Sequence, residues 1–571
     1  MSSLSSLYIG VSGLNVSQAA LNVTSHNLAN VDTTGYVRQQ VVQTDFKYVK
    51  LSETPLSMMQ KGLGANFAEV KQVRDSFLDK AYRQESGREA FYDAQYEAVS
   101  EVEGLFGELE GETFQNVIGK FWTSLQELAK EPDSIVTRAS FIETAVTFVE
   151  RADNIGNQLK DYQINLNTKI RDQVDRINKI GDEVKTLNLK IRQYESTGKE
   201  NANDLRDQRN VLLDELGEMA NITYKENSSG IVTVNLEGVP FVTEDVVYPM
   251  GTTKMSEDSE MIKPIWKAYG DVDVYNLDTA YAAANNTDIG SLKGLLVARG
   301  SKQANYTDIP LRENYESEPL YNNAVIDYNN TINSSVIMTV QAQFDQLIHG
   351  IVTTINDILA PNKEVTLTDG TKLKILDKEK APVGLDGTTM GEALFNRKST
   401  ARYREEDIDM EDGTHETVMV YNEEDATDNY SLFTLGEIEV NPNILKNYSY
   451  IPLSSNTGTG DYDIETAQQL LTSWQEAFAT ISPNTLTKNN FSDYYTSFMS
   501  EIANRGEQFN TISTNQASMV ESINNRRMEV MGVSSDEELT NLIKYQHAYN
   551  ASARYVNVVS EMLEDIINKL T

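Results

Sequence analysis

The sequence predicts an α+β, multidomain protein. A long-helix coiled-coil or bundle domain is built from both chain ends, with β-rich insertions outside it. Three observations predict this. Both termini carry heptad spacing, a long tract from 133 to 239 has no proline, and strand–turn patterns are confined to the middle of the chain.

At the start, Leu4, Leu7, Val11, Leu14, Gln18, Leu21, Ser25 and Leu28 alternate spacings of three and four, a heptad seam with two polar members. The first acidic side chain is Asp32 and the first basic one, His26 aside, is Arg38. With no charged face, and with Gly10 and Gly13 each costing about 1 kcal/mol, this helix is unstable alone. At the other end, Leu539, Leu542, Gln546, Tyr549, Ala553, Val556, Ser560, Leu563, Ile567 and Leu570 repeat the spacing. Ser534 supplies a cap there, and Asp536 and Glu537 lie at the positive end of the helix dipole. Either the two helices pair with each other or each covers its own domain core, as most amphipathic helices do.

Between the ends, an apolar stripe from Ile142 through Leu159, Ile170 and Val184 to Tyr194 predicts a helix on the order of 80 Å long, with a break near Gly156 or Gly181. Shorter helices fit 91–105 and 114–128, and longer ones 324–359 and 494–527. Ile231 to Leu236, then Gly238 and Pro240 to Thr243, reads as a β-hairpin. Strands and loops are expected to about 290, and a second β-like or irregular insertion over 362–460. The acidic stretch 405–412 lacks calcium-loop spacing and reads as solvated surface. The expected division is 1–50 and 530–571 as a terminal helical region; 51–230, 291–360 and 461–529 as the bundle; and 231–290 and 361–460 as outer β-rich or irregular parts.

Composition narrows the function. The 571 residues carry 49 basic against 85 acidic side chains, a net charge of −36, which argues against nucleic-acid binding. There is no cysteine and there are four scattered histidines, so neither a disulfide framework nor a histidine-rich metal centre is expected. No apolar run is long enough to span a bilayer, and the start has no secretory-signal pattern, so membrane insertion is not expected. HExxH, Gly-x-Ser-x-Gly and Walker motifs are missing, and Gly62-Leu63-Gly64 lacks a third glycine at the dinucleotide spacing. No catalytic residue and no cofactor is expected. Asp204 and Asp207 with Arg206 and Arg209 read as ion pairs along one helix rather than acid–base groups. A hydrolase or an adhesive module in the insertion remains open, with no motif behind it.

Residues 6–40, SLYIGVSGLNVSQAALNVTSHNLANVDTTGYVRQQ, resemble the signature of the bacterial flagellar rod, hook and hook-associated family. Its hallmarks are Ser12, Gly13 and Leu14, then Gln18, Ser25 to Asn30 with Asn27, and Gly35-Tyr36. Residues 532–570 resemble the matching C-terminal pattern, including Tyr545, Gln546 and Arg554. In the middle, Asp207-Gln208-Arg209 within 204–216 is similar to the hook–filament junction members. So is 290–300, although that pattern usually has Asp after Arg299. The resemblance implies a self-assembling structural subunit, secreted by the flagellar type III export apparatus and extracellular in the flagellum. It implies a cytosolic chaperone on the C-terminal helix, with hook protein and the second hook-associated protein as neighbours. Hook or distal rod protein is the second reading. The seam residues are the expected assembly interface. Residues 1–40 and 535–571 are expected to be largely disordered in the monomer and to order only in a helical assembly.

Overall fold

The structure is a computed structural model describing residues 2–54, 57–107, 113–198, 200–257, 259–409, 415–455 and 463–570. Helix α1 (Ser2–Ala29) leads into strands β1 (Gln39–Asp45), β2 (Tyr48–Thr54), β3 (Ser57–Gly62) and β4 (Ala65–Gln72). Strands β1 and β4 pair antiparallel, and β2 with β3 forms a hairpin at the far end of that ribbon. No strand was expected here. The stretch alternates lysines with apolar residues too loosely for a two-residue period to stand out.

Three helices follow: α2 (Ser76–Leu105), α3 (Phe114–Lys130) and α4 (Ile135–Glu195). Asp75 starts α2 by accepting the amides of Phe77 and Leu78. At 61 residues, α4 is about 90 Å long and runs unbroken through both glycines expected to interrupt it. They serve close packing instead. A methyl group at Gly181 would lie 2.6 Å from the Phe241 ring, and one at Gly156 would lie 3.3 Å from Leu435. Each glycine is where another element lies on the long helix.

Helix α5 (Asn203–Met219) turns back along α4. It precedes a three-stranded antiparallel sheet of β5 (Ile222–Glu226), β6 (Val232–Leu236) and β7 (Val239–Val242). The expected hairpin is its second half, turning on Glu237 and Gly238, both at positive φ. A second sheet joins β8 (Met250–Lys254), β9 (Ile262–Trp266) and β10 (Val272–Asp273). Helix α6 (Ser291–Arg299) then returns to the bundle. Gly300, at the position where the junction pattern has Asp, has φ 79° and lies against Met338.

The single helix expected over 324–359 is two, α7 (Glu318–Asn330) and α8 (Val336–Leu359). The run of Asn, Thr and Ser between them favours turns, and the Ser335 hydroxyl caps α8 at the Met338 amide. The second insertion holds β11 (Asn362–Thr366), β12 (Lys372–Leu376), β13 (Phe395–Arg397), β14 (Tyr403–Asp409), β15 (His415–Tyr421) and β16 (Ile438–Val440), then the short helix α9 (Pro442–Lys446). Glu405, Glu406 and Asp407 are exposed on the edge strand β14, where charge deters edge pairing. Residues 410–412 of the acidic stretch lie outside the described residues. Helices α10 (Ile464–Gln475), α11 (Phe491–Met531) and α12 (Ser535–Leu570) complete the chain.

Sequence-distant helices share one core. Phe121 of α3 stacks on Phe141 and Phe148 of α4 at 5.2 and 5.3 Å, while Phe344 of α8 meets Phe106 and Phe114 edge-on at 5.1 and 5.0 Å. Helix α11 lies along α2, so both chain ends leave the same end of the bundle.

Candidate assembly interface

Helices α1 and α12 form an antiparallel pair. Gly10 faces Tyr555 and Val556, and Gly13 faces Ser552. A methyl group at either glycine would come within 2.7 Å of its neighbour's side chain and force it to shift. The covered stripe of α1 continues through Ser17, Ala20, Thr24 and Asn27, all buried. It lies one residue from the expected seam. Leu7, Leu14, Leu21 and Leu28 are half-buried on its flank, and Val11 is exposed. On α12, Leu542, Ala553, Val556 and Leu563 are half-buried, whereas Leu539, Tyr549 and Ile567 are exposed. The side chains of Leu4 and Leu570 lie outside the described residues. Small residues hold the pair together at short range, and much of the apolar stripe stays uncovered.

The signature residues build the turn after α1. The Asn27 side chain donates to the Gln39 carbonyl at 2.9 Å and accepts from the Gln39 amide and the Tyr36 hydroxyl at 3.0 and 2.8 Å. Asn30 donates to the His26 carbonyl and accepts from Thr33. Gly35 has φ 78°, and a methyl group there would lie 2.3 Å from Val211 of α5. Burial and the carboxylates of Asp204 and Asp207 raise the Tyr36 phenol well above its usual range, so it stays a donor. Ser12 bonds the Ile9 carbonyl, 2.8 Å away, and sits against Gly64 of the β ribbon.

The segment 204–209 fixes this turn to the bundle. Asp207 accepts from the Val37 amide at 3.2 Å and from Gln72 at 2.7 Å. Burial pushes its carboxyl up to about 7, against the lowering effect of those donors and Arg74. Arg206 grips both Glu195 oxygens and reaches Glu226, and Arg209 is fully buried on Asn188, Gly230 and Glu226. The expected pairing along one helix is therefore replaced by pairing between elements. Gln208, Gln546 and Arg554 are exposed and Tyr545 is half-buried.

A second cluster beside this one was not anticipated. Arg527 of α11 bridges Asp79 of α2 at 2.9 Å and Asp214 of α5 at 2.8 Å, and lies over the Tyr82 ring. Arg83 holds the other Asp214 oxygen at 2.6 Å, and Arg74 holds the other Asp79 oxygen. Charges on otherwise apolar helix faces were the one available signal, since Arg527 lies 448 and 313 residues from Asp79 and Asp214. Together, Asp207 and this cluster form a buried polar joint where the terminal pair meets the bundle. Among the described residues no group of three His, Cys, Asp or Glu side chains could hold a metal ion, and no helix is long and apolar enough to cross a membrane.

This architecture defines the class, an axial protein of the bacterial flagellum: residues 7–36 match the family model for flagella basal body rod protein, and 524–570 match that for the flagellar basal body rod FlgEFG protein C-terminal region. Residues 99–373 match the model for the flagellar hook-associated protein FlgK helical domain. Similar curated proteins are flagellar hook-associated protein 1 of Bacillus subtilis, 26% identical with 97% of this chain and 96% of that protein covered, and of Escherichia coli, 23% identical with 98% of each covered. The same protein of Salmonella typhimurium is 24% identical, again with 98% of each covered. The solved structure of the flagellar hook junction protein FlgK from Burkholderia pseudomallei shares the fold, with a TM-score of 0.51 at 13% identity over 80% of this chain and 100% of that one. Over nearly its whole length the chain is similar to flagellar hook-associated protein 1.

Proposed function

We propose that the chain self-assembles into the junction between hook and filament, with its terminal helices packed against neighbouring subunits. The observation that carries this reading is the α1–α12 pair. It is cemented by glycine and other small residues and leaves Val11 exposed on the uncharged α1, and Leu539, Tyr549 and Ile567 exposed on α12. An uncharged helix with an open apolar flank gains roughly 25 cal/mol per Å² on being covered. The surfaces assigned to assembly are Leu4, Leu7, Val11, Leu14, Leu21 and Leu28 on α1, and Leu539, Leu542, Tyr549, Ala553, Val556, Leu563, Ile567 and Leu570 on α12.

The role is structural rather than enzymatic. Hook protein and the second hook-associated protein are the proposed axial neighbours. Export through the flagellar type III apparatus, with a cytosolic chaperone on α12, places the subunit outside the cell. The bundle and the β-rich parts face outward, consistent with their acidic surface. Hook or distal rod protein is the weaker reading, since the FlgK helical domain matches 99–373. Deleting 536–571 tests the proposal. The expected outcome is hooks without filaments and unassembled filament protein in the medium, and normal filaments overturn it.

A further inference from the structure

Helix α12 carries a second apolar stripe, open to solvent and separate from the seam. Tyr555, Val558, Met562 and Ile566 are 43%, 47%, 59% and 48% exposed. At about 100° per residue they fall on one line with Ala548 and Ala551, both exposed, in a stripe about 27 Å long. None of these six positions is charged. The contact of α12 with α1 runs through Ser552, Val556 and the buried Val559. The seam residues Leu542, Tyr549 and Ala553 stand to one side of that line. The stripe stands roughly a quarter-turn to the other.

Helix direction decides which face each surface occupies. Along α1, Leu7, Leu14 and Leu21 stand on one side of the Gly10–Gly13 contact. Ser5 and Ser12 stand on the other, where Lys61 donates to Ser5 at 2.9 Å and Gly64 lies on Ser12. Because α12 runs antiparallel, the same rotation carries Leu542 and Tyr549 to the side of the α1 leucines, and Val558 and Met562 to the other side, with Lys61 and Gly64. The pair therefore has an apolar surface on each broad face, and the two cannot cover each other within one chain. They are matched in length and charge. The α1 seam from Leu7 to Leu28 is about 32 Å long and uncharged, so a neutral surface of similar length covers it without burying an unpaired charge. The margins carry opposite charges: Glu561 and Glu564 border the seam face, while Lys544 heads the stripe and makes no ion pair among the described residues. Two different, complementary faces on one body make a heterologous contact, which repeats from copy to copy into rings or helical tubes.

We infer that the Ala548–Ile566 stripe of one copy receives the α1 seam, Leu7 to Leu28, of the next copy. This rests on the proposed junction role and adds the receiving surface, which the seam does not itself supply. The test places the photoreactive residue p-benzoylphenylalanine at Met562 of the full chain and irradiates flagella sheared from the cells. The expected product is a dimer of the chain in which position 562 is joined to Met1–Arg38 of the second copy, a single tryptic peptide because Arg38 is the first cleavage site. An adduct with another protein, with any other part of the second copy, or within one chain overturns the inference. So does normal filament growth with no adduct. Val558→Glu combined with Met562→Glu changes two exposed positions, so monomer unfolding is expected to match wild type. Filament number is expected to fall several-fold, because the uncharged seam of the neighbour would then cover two unpaired carboxylates. Normal filaments from this variant overturn the inference even where the photoreactive residue itself blocks assembly. Normal filaments in cells lacking the chain altogether would instead remove the junction role itself.

Discussion

Both ends of the Asn27 amide are engaged in closing the turn that signature residues share, and the residue is 1% exposed. Asn27→Ala strands the Gln39 amide, while the Tyr36 hydroxyl keeps His26 Nδ1 at 3.0 Å. A buried polar group left unpaired costs about 2 kcal/mol, which corresponds to roughly thirty-fold faster amide exchange. Exchange at 36–39 in assembled material is the measurement. Asp207 makes a second residue-scale prediction. Its folded value of about 7 lies above the 3.8 of a free carboxyl, so the folded state favours the protonated form. The term is fully present below about 4 and is lost as pH rises through about 7. Relative to Asp207→Asn, the wild-type assembly is therefore expected to raise its thermal dissociation midpoint as pH falls from 8 to 5. A difference independent of pH would show that Asp207 does not titrate there.

At the scale of elements, the ion joint is more than a set of surface pairs. Arg527 is 5% exposed and Asp79 is 3% exposed. Removing one partner leaves the other charges buried without compensation, so Arg527→Ala is expected to destabilise the bundle by about 3–5 kcal/mol in urea unfolding. Lys at that position cannot reproduce the fork to two carboxylates and should recover little. Gly181→Leu is expected to cost about 1–3 kcal/mol through overpacking against Phe241 and Val247, read in the same way. These sites also mark what the sequence concealed. Helical periodicity gave the long helices, because α4 repeats an apolar stripe from Ile142 to Ile191 that is buried except at the half-buried Tyr162. Periodicity alone does not distinguish a glycine that ends a helix from one that admits a neighbour. It also favoured the leucines over the adjacent stripe of Gly10, Gly13, Ser17 and Ala20, since small residues bring little hydrophobicity while allowing the closest approach. The Arg527–Asp79 bridge spans most of the chain, and nothing local announces it.

For the whole molecule, the consequence is a division between a body that holds itself together and a terminal pair that needs neighbours. The bundle buries an aromatic core and a charged joint. Helix α1 brings two glycines, no charged side chain before Asp32 and a buried face made of small residues. Ordering each residue costs about 1–2 kcal/mol of conformational entropy, which short side chains on one face do little to offset. Dilute monomer is therefore expected to exchange amides rapidly over 1–40 and 535–571, and assembled subunits to protect both stretches by orders of magnitude. Leu14→Asp follows from the same division. Leu14 is half-buried on the open flank, so the change should leave monomer unfolding within about 0.5 kcal/mol of wild type. Assembly should fail, because a neighbour would have to cover an unpaired carboxylate. Leu563→Asp is expected to behave alike. Full protection of both tails in the dilute monomer, or normal filaments from Leu14→Asp, would mean that the terminal pair is finished within one chain and that assembly uses another surface.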